Sequence, residues 1–143
     1  MKQIPRSLYK QIVEVMPILC VDLVIVHEGK YLLVKRKNEP AKGLWWPPGG
    51  RVWKGETIEQ AARRKAKEEI GVGVRLVAPL GYYEGSWPVS AFGKGRGTAC
   101  LSIVVLASPR SLQLRIDEQS AAWKWSSQLP KRFIIKPFGV FKN

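Results

Sequence analysis

Residues 50–72 read GRVWKGETIEQAARRKAKEEIGV, and this stretch predicts the one well-marked long helix of the chain. Thr57 and Gln60 have the spacing of a capping box, and Gly71 stands where a helix can end in the left-handed conformation. The apolar face at helical spacing consists of Ile58, Ala61, Ala62, Ala66 and Ile70. The sequence therefore predicts an amphipathic helix over residues 57–70.

The second half of this helix carries a cluster of charges. Arg64 precedes Glu68 by four residues and Lys65 precedes Glu69 by four, the spacing at which side chains meet on a helix. Mg²⁺ prefers carboxylate oxygens completed by water and substrate phosphate, and the nearby glycines let a backbone carbonyl approach the same ion. The pattern fits either a magnesium–phosphate site or an amphipathic surface helix with ordinary ion pairs.

Shorter elements are predicted on both sides of the long helix. They are a helix at 7–15, strands at 18–26, 31–35, 74–78, 101–107 and 121–125, and a flexible basic loop at 93–97. Strands interleaved with a capped helix favour a mixed α/β layer fold. Because no internal repeat or long linker divides the sequence, we expect a single domain over residues 1–143.

The composition restricts the classes of partner. The 143 residues carry a formal net charge of +13, which favours phosphorylated metabolites or other anionic partners. The longest apolar stretch, 18–26, contains Asp22 and is far shorter than the roughly 20 residues of a membrane-spanning helix. The first residues lack the pattern of a secretory signal, so we expect a soluble, cytoplasmic protein with no membrane partner. Cys20 and Cys100 are expected to be buried thiols rather than a disulfide.

Residues 50–72 resemble the Nudix box, G-x5-E-x7-R-E-U-x-E-E-x-G-U, in which U is a bulky aliphatic residue. The positions that match are Gly50, Glu56, Arg64, Glu68, Glu69, Gly71 and Val72. The resemblance implies the family fold, an α/β/α sandwich with a central mixed β-sheet. It also implies Mg²⁺-dependent hydrolysis of a nucleoside diphosphate linked to another group.

Lys65 departs from the box, because the family has the first glutamate of the REUxEE turn at this position. A charged ammonium cannot accept a proton, and it repels a metal ion. GDP-mannose mannosyl hydrolases also lack this glutamate. Residues 35–45 resemble their KR-x-N-x-PA-x-G-x-W stretch, and residues 49–57 resemble their GGRV-x-K-x-ET stretch. That subgroup attacks the anomeric carbon and releases GDP and the free sugar.

The resemblance to this subgroup implies three sets of site residues. The metal ligands for Mg²⁺, or Mn²⁺ in its place, are Glu69, Gln119 and the carbonyl of Gly49. The residues implied to act in catalysis are Arg36, Arg64, Glu68 and Glu69. The residues implied to bind substrate are Asp22, at the base or paired with an arginine, and Arg36 and Arg51, at the phosphates. Arg64 is expected to orient Glu69 or to contact phosphate itself.

The general base of the subgroup is missing from this sequence. Ser120 stands where the subgroup has a histidine, and a serine hydroxyl cannot replace imidazole as a base near neutral pH. The one histidine, His27, lies in a predicted turn and is expected to be structural. The carboxylates that remain as candidate bases are Glu68, Glu84, Asp117 and Glu118.

Three functions therefore remain open. The first is release of nucleoside diphosphate and sugar from a GDP-mannose-like nucleotide sugar. The second is ordinary Nudix cleavage of a phosphoanhydride bond, and the third is a catalytically impaired protein that binds nucleotide or RNA. The resemblance also implies a homodimer, formed partly through the N-terminal helix, whereas nucleic acid is a less favoured partner because no RNA-binding signature is present.

Overall fold

The computed structural model describes residues 4–139 and 141. Within them lie two helices and seven strands, which we number in chain order. They are α1 (Arg6–Val15), β1 (Ile18–His27), β2 (Lys30–Arg36), β3 (Trp45–Trp46), β4 (Gly49–Arg51), α2 (Ile58–Ile70), β5 (Val74–Ser90), β6 (Gly93–Pro109) and β7 (Ser120–Ser126). The predicted domain, 1–143, includes residues 1–3, 140, 142 and 143, which lie outside the described part.

Strand β1 is the centre of the sheet. It pairs in parallel with β6 and antiparallel with β2 and β4, and the order across the main path is β3-β2-β1-β6-β5, with β7 added beside β2. Since parallel and antiparallel pairs occur together, the predicted mixed sheet is confirmed. The short pairing of β4 with β1 brings Gly49 opposite Asp22.

Helix α2 begins and ends as its sequence predicts. The Thr57 hydroxyl accepts from the Gln60 N–H at 3.1 Å, and the Gln60 side chain accepts from the Thr57 N–H at 2.9 Å. Gly71 ends the helix with a φ of 71°. The apolar face of α2 packs with Val21 and Leu23 of β1, so this helix covers one face of the sheet.

The other face of β1 packs with a second apolar cluster. Because side chains alternate along a strand, Val24 faces away from α2, where it packs with Trp46, Tyr83 and Phe133. Helix α1 packs against β6 and adds Tyr9 to the lining of a cleft. One mixed sheet combined with two helices confirms the expected mixed α/β fold.

The hairpin of β5 and β6 differs from the prediction. The strands predicted at 74–78 and 101–107 each extend to 17 residues, and residues 93–97 belong to β6 instead of forming a flexible loop. The pairing continues as far as Ser90 and Gly93. Gly97 permits it, since a Cβ atom there would collide with the carbonyl oxygen of Trp87. Neither helix of residues 4–139 has the length and apolar character needed to cross a membrane.

Candidate active site

A cleft of about 470 Å³ opens between α2, β1, β4 and the N-terminal part of β6. Every residue that the sequence assigns to the site lines it: Asp22, Arg36, Gly49, Arg51, Arg64, Glu68, Glu69 and Gln119. These residues come from positions up to 97 apart in the sequence and from both sides of the Nudix box. The tertiary structure therefore gathers the eight residues around one cavity.

Arg64 organises the polar side of the cleft. Its guanidinium binds Glu56 at 3.0 Å and Glu68 at 3.2 Å, and it donates to the carbonyl oxygen of Arg51 at 2.9 Å. The same group stacks on the Trp53 ring, 3.7 Å from its centroid. Burial alone would raise the pKa of Glu68, but the hydrogen bonds and charges of its cationic neighbours lower it. Arg64 therefore ties α2 to β4, and the carboxylates that it binds are Glu56 and Glu68 rather than Glu69, which it was expected to orient.

Glu69 is the most buried carboxylate of the box. Its Oε2 atom accepts from the backbone N–H of Gly49 at 2.8 Å, which joins the end of α2 to the start of β4. Burial raises the pKa of this carboxyl to about 7, and Asp117 adds to the rise, whereas Lys65 and the Gly49 N–H oppose it. A buried carboxylate of this kind gains stability from a bound cation.

Asp22 is held on β1 beside the glycine turn and is only 8% exposed. Its pKa is raised to about 6, because burial outweighs the favourable effects of Ser102 and Arg36. Gly49 is required at this point, since a Cβ atom there would collide with the Asp22 carboxylate. Asp22 therefore lies in contact range of the same turn that binds Glu69.

Arg36 and Arg51 bring two guanidinium groups to the cleft. Arg36 donates from Nε to the carbonyl oxygen of Pro40 at 2.8 Å, so its terminal nitrogens can bind a ligand. The Arg51 guanidinium lies over the ring of Tyr9, 4.1 Å from the centroid. Guanidinium groups match pairs of phosphate oxygens, and a diphosphate offers two such partners.

The donors in the cleft fit a magnesium ion. Within residues 4–139 and 141, no three His, Cys, Asp or Glu side chains form a group that could hold a metal. A site built on Glu69 would therefore be completed by neutral oxygens, such as the Gly49 carbonyl, the Gln119 amide, water and substrate phosphate. Mg²⁺ commonly binds in this way, through one or two carboxylates and the phosphates of its substrate.

The structure separates the four candidate bases. Glu68 lines the cleft. Glu84, on β5, is not part of the lining, and its carboxylate binds the Lys136 ammonium at 2.7 Å. Asp117 lies beside Glu69, and its N–H donates to the Glu69 carbonyl at 3.3 Å. Glu118 is exposed outside the lining.

Ser120, which stands where the subgroup has its histidine, and His27, the one histidine of this chain, lie in different places. Ser120 is buried at the wall of the cleft. His27 lies away from it, with its ring 5.7 Å from that of Trp125. The expectation that His27 has no catalytic role therefore agrees with its position.

Several lining residues have no signal in the sequence. Tyr9, Trp87 and Thr98 belong to the wall that also holds Trp46, and they come from three separate elements. Trp46 contacts the rings of Tyr83, Trp87 and Phe133 edge to face. No spacing rule links residues so far apart, so sequence reasoning missed this wall.

The two cysteines also differ in part from expectation. Cys20 and Cys100 are free thiols, as predicted, but they are half-buried and both line the cleft. The pKa of the Cys20 thiol is raised, mainly by a hydrogen bond with Cys100 and secondly by burial. At neutral pH the Cys20 thiol is therefore uncharged.

Comparisons with known proteins agree with the geometry. The sequence pattern described as the NUDIX domain matches residues 16–128, which is most of the chain. The "Low-salt glycan biosynthesis protein Agl8" of Haloferax volcanii is 49% identical over 82 residues, which cover 57% of this chain and 53% of that protein. The "ADP-ribose pyrophosphatase" of Methanocaldococcus jannaschii is 44% identical over 78 residues, 54% of this chain and 46% of that protein. The chain thus spans about half the length of these relatives.

Solved structures share the fold. A MutT NUDIX hydrolase from Burkholderia pseudomallei superimposes with a TM-score of 0.69 at 28% identity, covering 82% of this chain and 93% of that one. The match over residues 16–128 contains the whole cleft apart from Tyr9. On the sequence pattern and the shared fold together, the chain belongs to the Nudix hydrolase family.

Proposed function

We propose that the protein hydrolyses a nucleotide sugar of the GDP-mannose class, with a divalent metal ion, and releases nucleoside diphosphate and free sugar. The observation that carries this proposal is the common cleft of Arg36, Arg51 and Glu69, which combines two phosphate-binding guanidinium groups with a buried carboxylate. Lys65 supports membership of this subgroup, because it stands at the position where those enzymes also have no glutamate. The relative named for glycan biosynthesis supports a sugar-linked substrate.

The residues of the chain divide the work of this reaction. Glu69 and Gln119, with the Gly49 carbonyl, would hold Mg²⁺ or Mn²⁺, which supplies Lewis-acid stabilisation of the departing diphosphate. Arg36 and Arg51 bind the phosphates, and Arg64 keeps β4 against α2 through its bonds to Glu56 and to the Arg51 carbonyl. Glu68 is the candidate base that lines the cleft, and its carboxylate is ionised at neutral pH, although the lowered pKa makes it a weak proton acceptor.

A second candidate is cleavage of the phosphoanhydride bond. It is favoured by the relative named as an ADP-ribose pyrophosphatase and by Glu68, an ionised carboxylate in the cleft. A third candidate is nucleotide or RNA binding without catalysis, in which the net charge of +13 would supply most of the attraction for the ligand. Such binding would weaken steeply with added salt and would not depend on the metal ligands.

The test is incubation with GDP-mannose and Mg²⁺ in ¹⁸O-labelled water, followed by phosphorus NMR and mass spectrometry. If the products are unlabelled GDP and mannose that carries ¹⁸O, the result supports attack of water at the sugar carbon. GMP and mannose 1-phosphate with ¹⁸O on phosphorus supports the second candidate.

Two variants link that activity to the cleft. We expect Glu69→Gln to lose about 10²–10³ in rate, the usual effect of removing one preorganised charged contact. Glu59→Gln, an exposed carboxylate on the same helix, is the matched control and should keep full activity. An equal loss in both variants, or activity that survives Glu69→Gln, would contradict the proposal.

A further inference from the structure

Lys65 is buried in the wall of the cleft, with 7% of the residue exposed. Lysine is almost never buried to this degree unless its charge is paired. Its stem fills the space beside the glycine turn, because a Cβ atom at Gly50 would lie 2.6 Å from the Lys65 Cε atom. The turn and the lysine therefore fit each other, and the side chain has one well-defined location.

The ammonium group lies between two carboxylates of the box. Its Nζ atom is 3.2 Å from Glu68 Oε2 and 3.5 Å from Glu69 Oε1. The other oxygen of Glu69 is held by the Gly49 N–H. A cation that bridges two carboxylates in a phosphate cleft has the position and charge sign of a bound metal ion.

The charge of the network limits how many metal ions it can accept. With Glu69 ionised, the form that binds a cation, three carboxylates (Glu56, Glu68, Glu69) and two cations (Arg64, Lys65) leave one net negative charge. One divalent ion makes this network positive by one, and a second makes it positive by three. A glutamate at position 65 would instead give a starting charge of minus three, which two divalent ions would bring close to neutral.

We propose that Lys65 is a built-in cation that replaces a second metal ion, so that the cleft binds one divalent ion per chain. Its ammonium then supplies to a substrate phosphate the positive charge that a second ion would supply. The contact with phosphate rests on the function proposed above. The number of metal ions does not, because it is measured without substrate.

The test counts Mn²⁺ ions by calorimetric titration and electron paramagnetic resonance on the purified chain. We expect one strongly bound Mn²⁺ in the wild-type chain and two in Lys65→Glu, with the spin coupling of two ions about 3.5–4 Å apart. Lys67→Glu makes the same charge change at an exposed position of the same helix and should still bind one. Two ions in the wild type, one in Lys65→Glu, or two in Lys67→Glu would overturn the proposal.

A second variant keeps the test valid if Lys65→Glu does not fold. Lys65→Met keeps the length of the stem and removes the charge 3.5 Å from Glu69. Since like charges at this range repel strongly, we expect Mn²⁺ to bind at least about tenfold more tightly. Lys67→Met should leave the Mn²⁺ affinity unchanged, and an unchanged affinity in Lys65→Met would overturn the proposal. If the ion counts agree but GDP-mannose is not hydrolysed, the proposed substrate fails and the metal count stands.

Discussion

The two walls of the cleft are built in different ways. On the polar wall, Arg64, Lys65 and Glu68 meet at helical spacing on α2, and Glu56, just before the helix, joins them through Arg64. The aromatic wall joins Tyr9, Trp46 and Trp87, which reach the cleft from α1, β3 and β5. The first wall is local in sequence, and the second exists only after the sheet has formed. The comparison shows that the ion-pair network on α2 is encoded locally, whereas the aromatic side of the cavity is not.

The largest effect is expected from breaking the aromatic wall. Trp46→Ala removes a buried ring that contacts three others, so we expect the free energy of unfolding to fall by about 3–5 kcal/mol. Urea denaturation measures the change. Trp123→Ala, a partly exposed tryptophan on β7, is the matched control and should cost much less. A small loss in Trp46→Ala would show that the wall contributes little to the fold.

Asp22, which lies against the glycine turn of the polar wall, gives a pH-dependent effect. Its pKa is raised from an ordinary 3.8 to about 6 in the folded chain, so the folded state holds the proton more tightly than the unfolded state. As the pH rises from about 4 to about 6, the wild-type free energy of unfolding therefore falls, by on the order of 3 kcal/mol from this group. Asp22→Asn cannot lose a proton and should gain stability relative to the wild type over that window.

Urea denaturation without metal at pH 4, 5, 6 and 7 measures this difference. Glu59→Gln serves as the comparison, since it replaces an exposed carboxylate by an amide. Parallel stability curves for the wild type and Asp22→Asn would contradict the burial argument.

A smaller effect on stability is expected from the polar wall. Arg64→Met leaves Glu56 without its ion pair and detaches α2 from the Arg51 carbonyl. We expect a loss of about 2 kcal/mol, below the 3–5 kcal/mol of a fully buried pair because the Arg64 side chain is 18% exposed. In a cycle with Glu56→Gln, the double variant should lose less than the sum of the single ones. Additive losses would show that the network does not act as a unit.

Prediction from sequence succeeded where the interactions are local. The capping box of Thr57 and Gln60 and the end of α2 at Gly71 are observed as predicted, since each depends on residues a few positions apart. The strands of the β5–β6 hairpin were predicted too short, because Pro79, Gly85 and Gly97 interrupt the pattern of a strand. Cross-strand pairing overrides these local preferences, and register shifts at Leu76–Ala78, Pro79–Gly81 and Trp87–Val89 absorb the irregularity.

The sequence by itself determined the helix, the box and the charge pattern in which Lys65 stands among glutamates. Helical spacing makes those neighbours inevitable once α2 forms. Only the tertiary structure decided that Gly49 binds Glu69 and lies against Asp22, because that contact depends on the pairing of β4 with β1. It also decided that Tyr9 supports Arg51, since no spacing rule relates α1 to β4. Such contacts require the strand order to be fixed first. The strand order is fixed by burial of both faces of the sheet, and that burial involves residues from the whole chain.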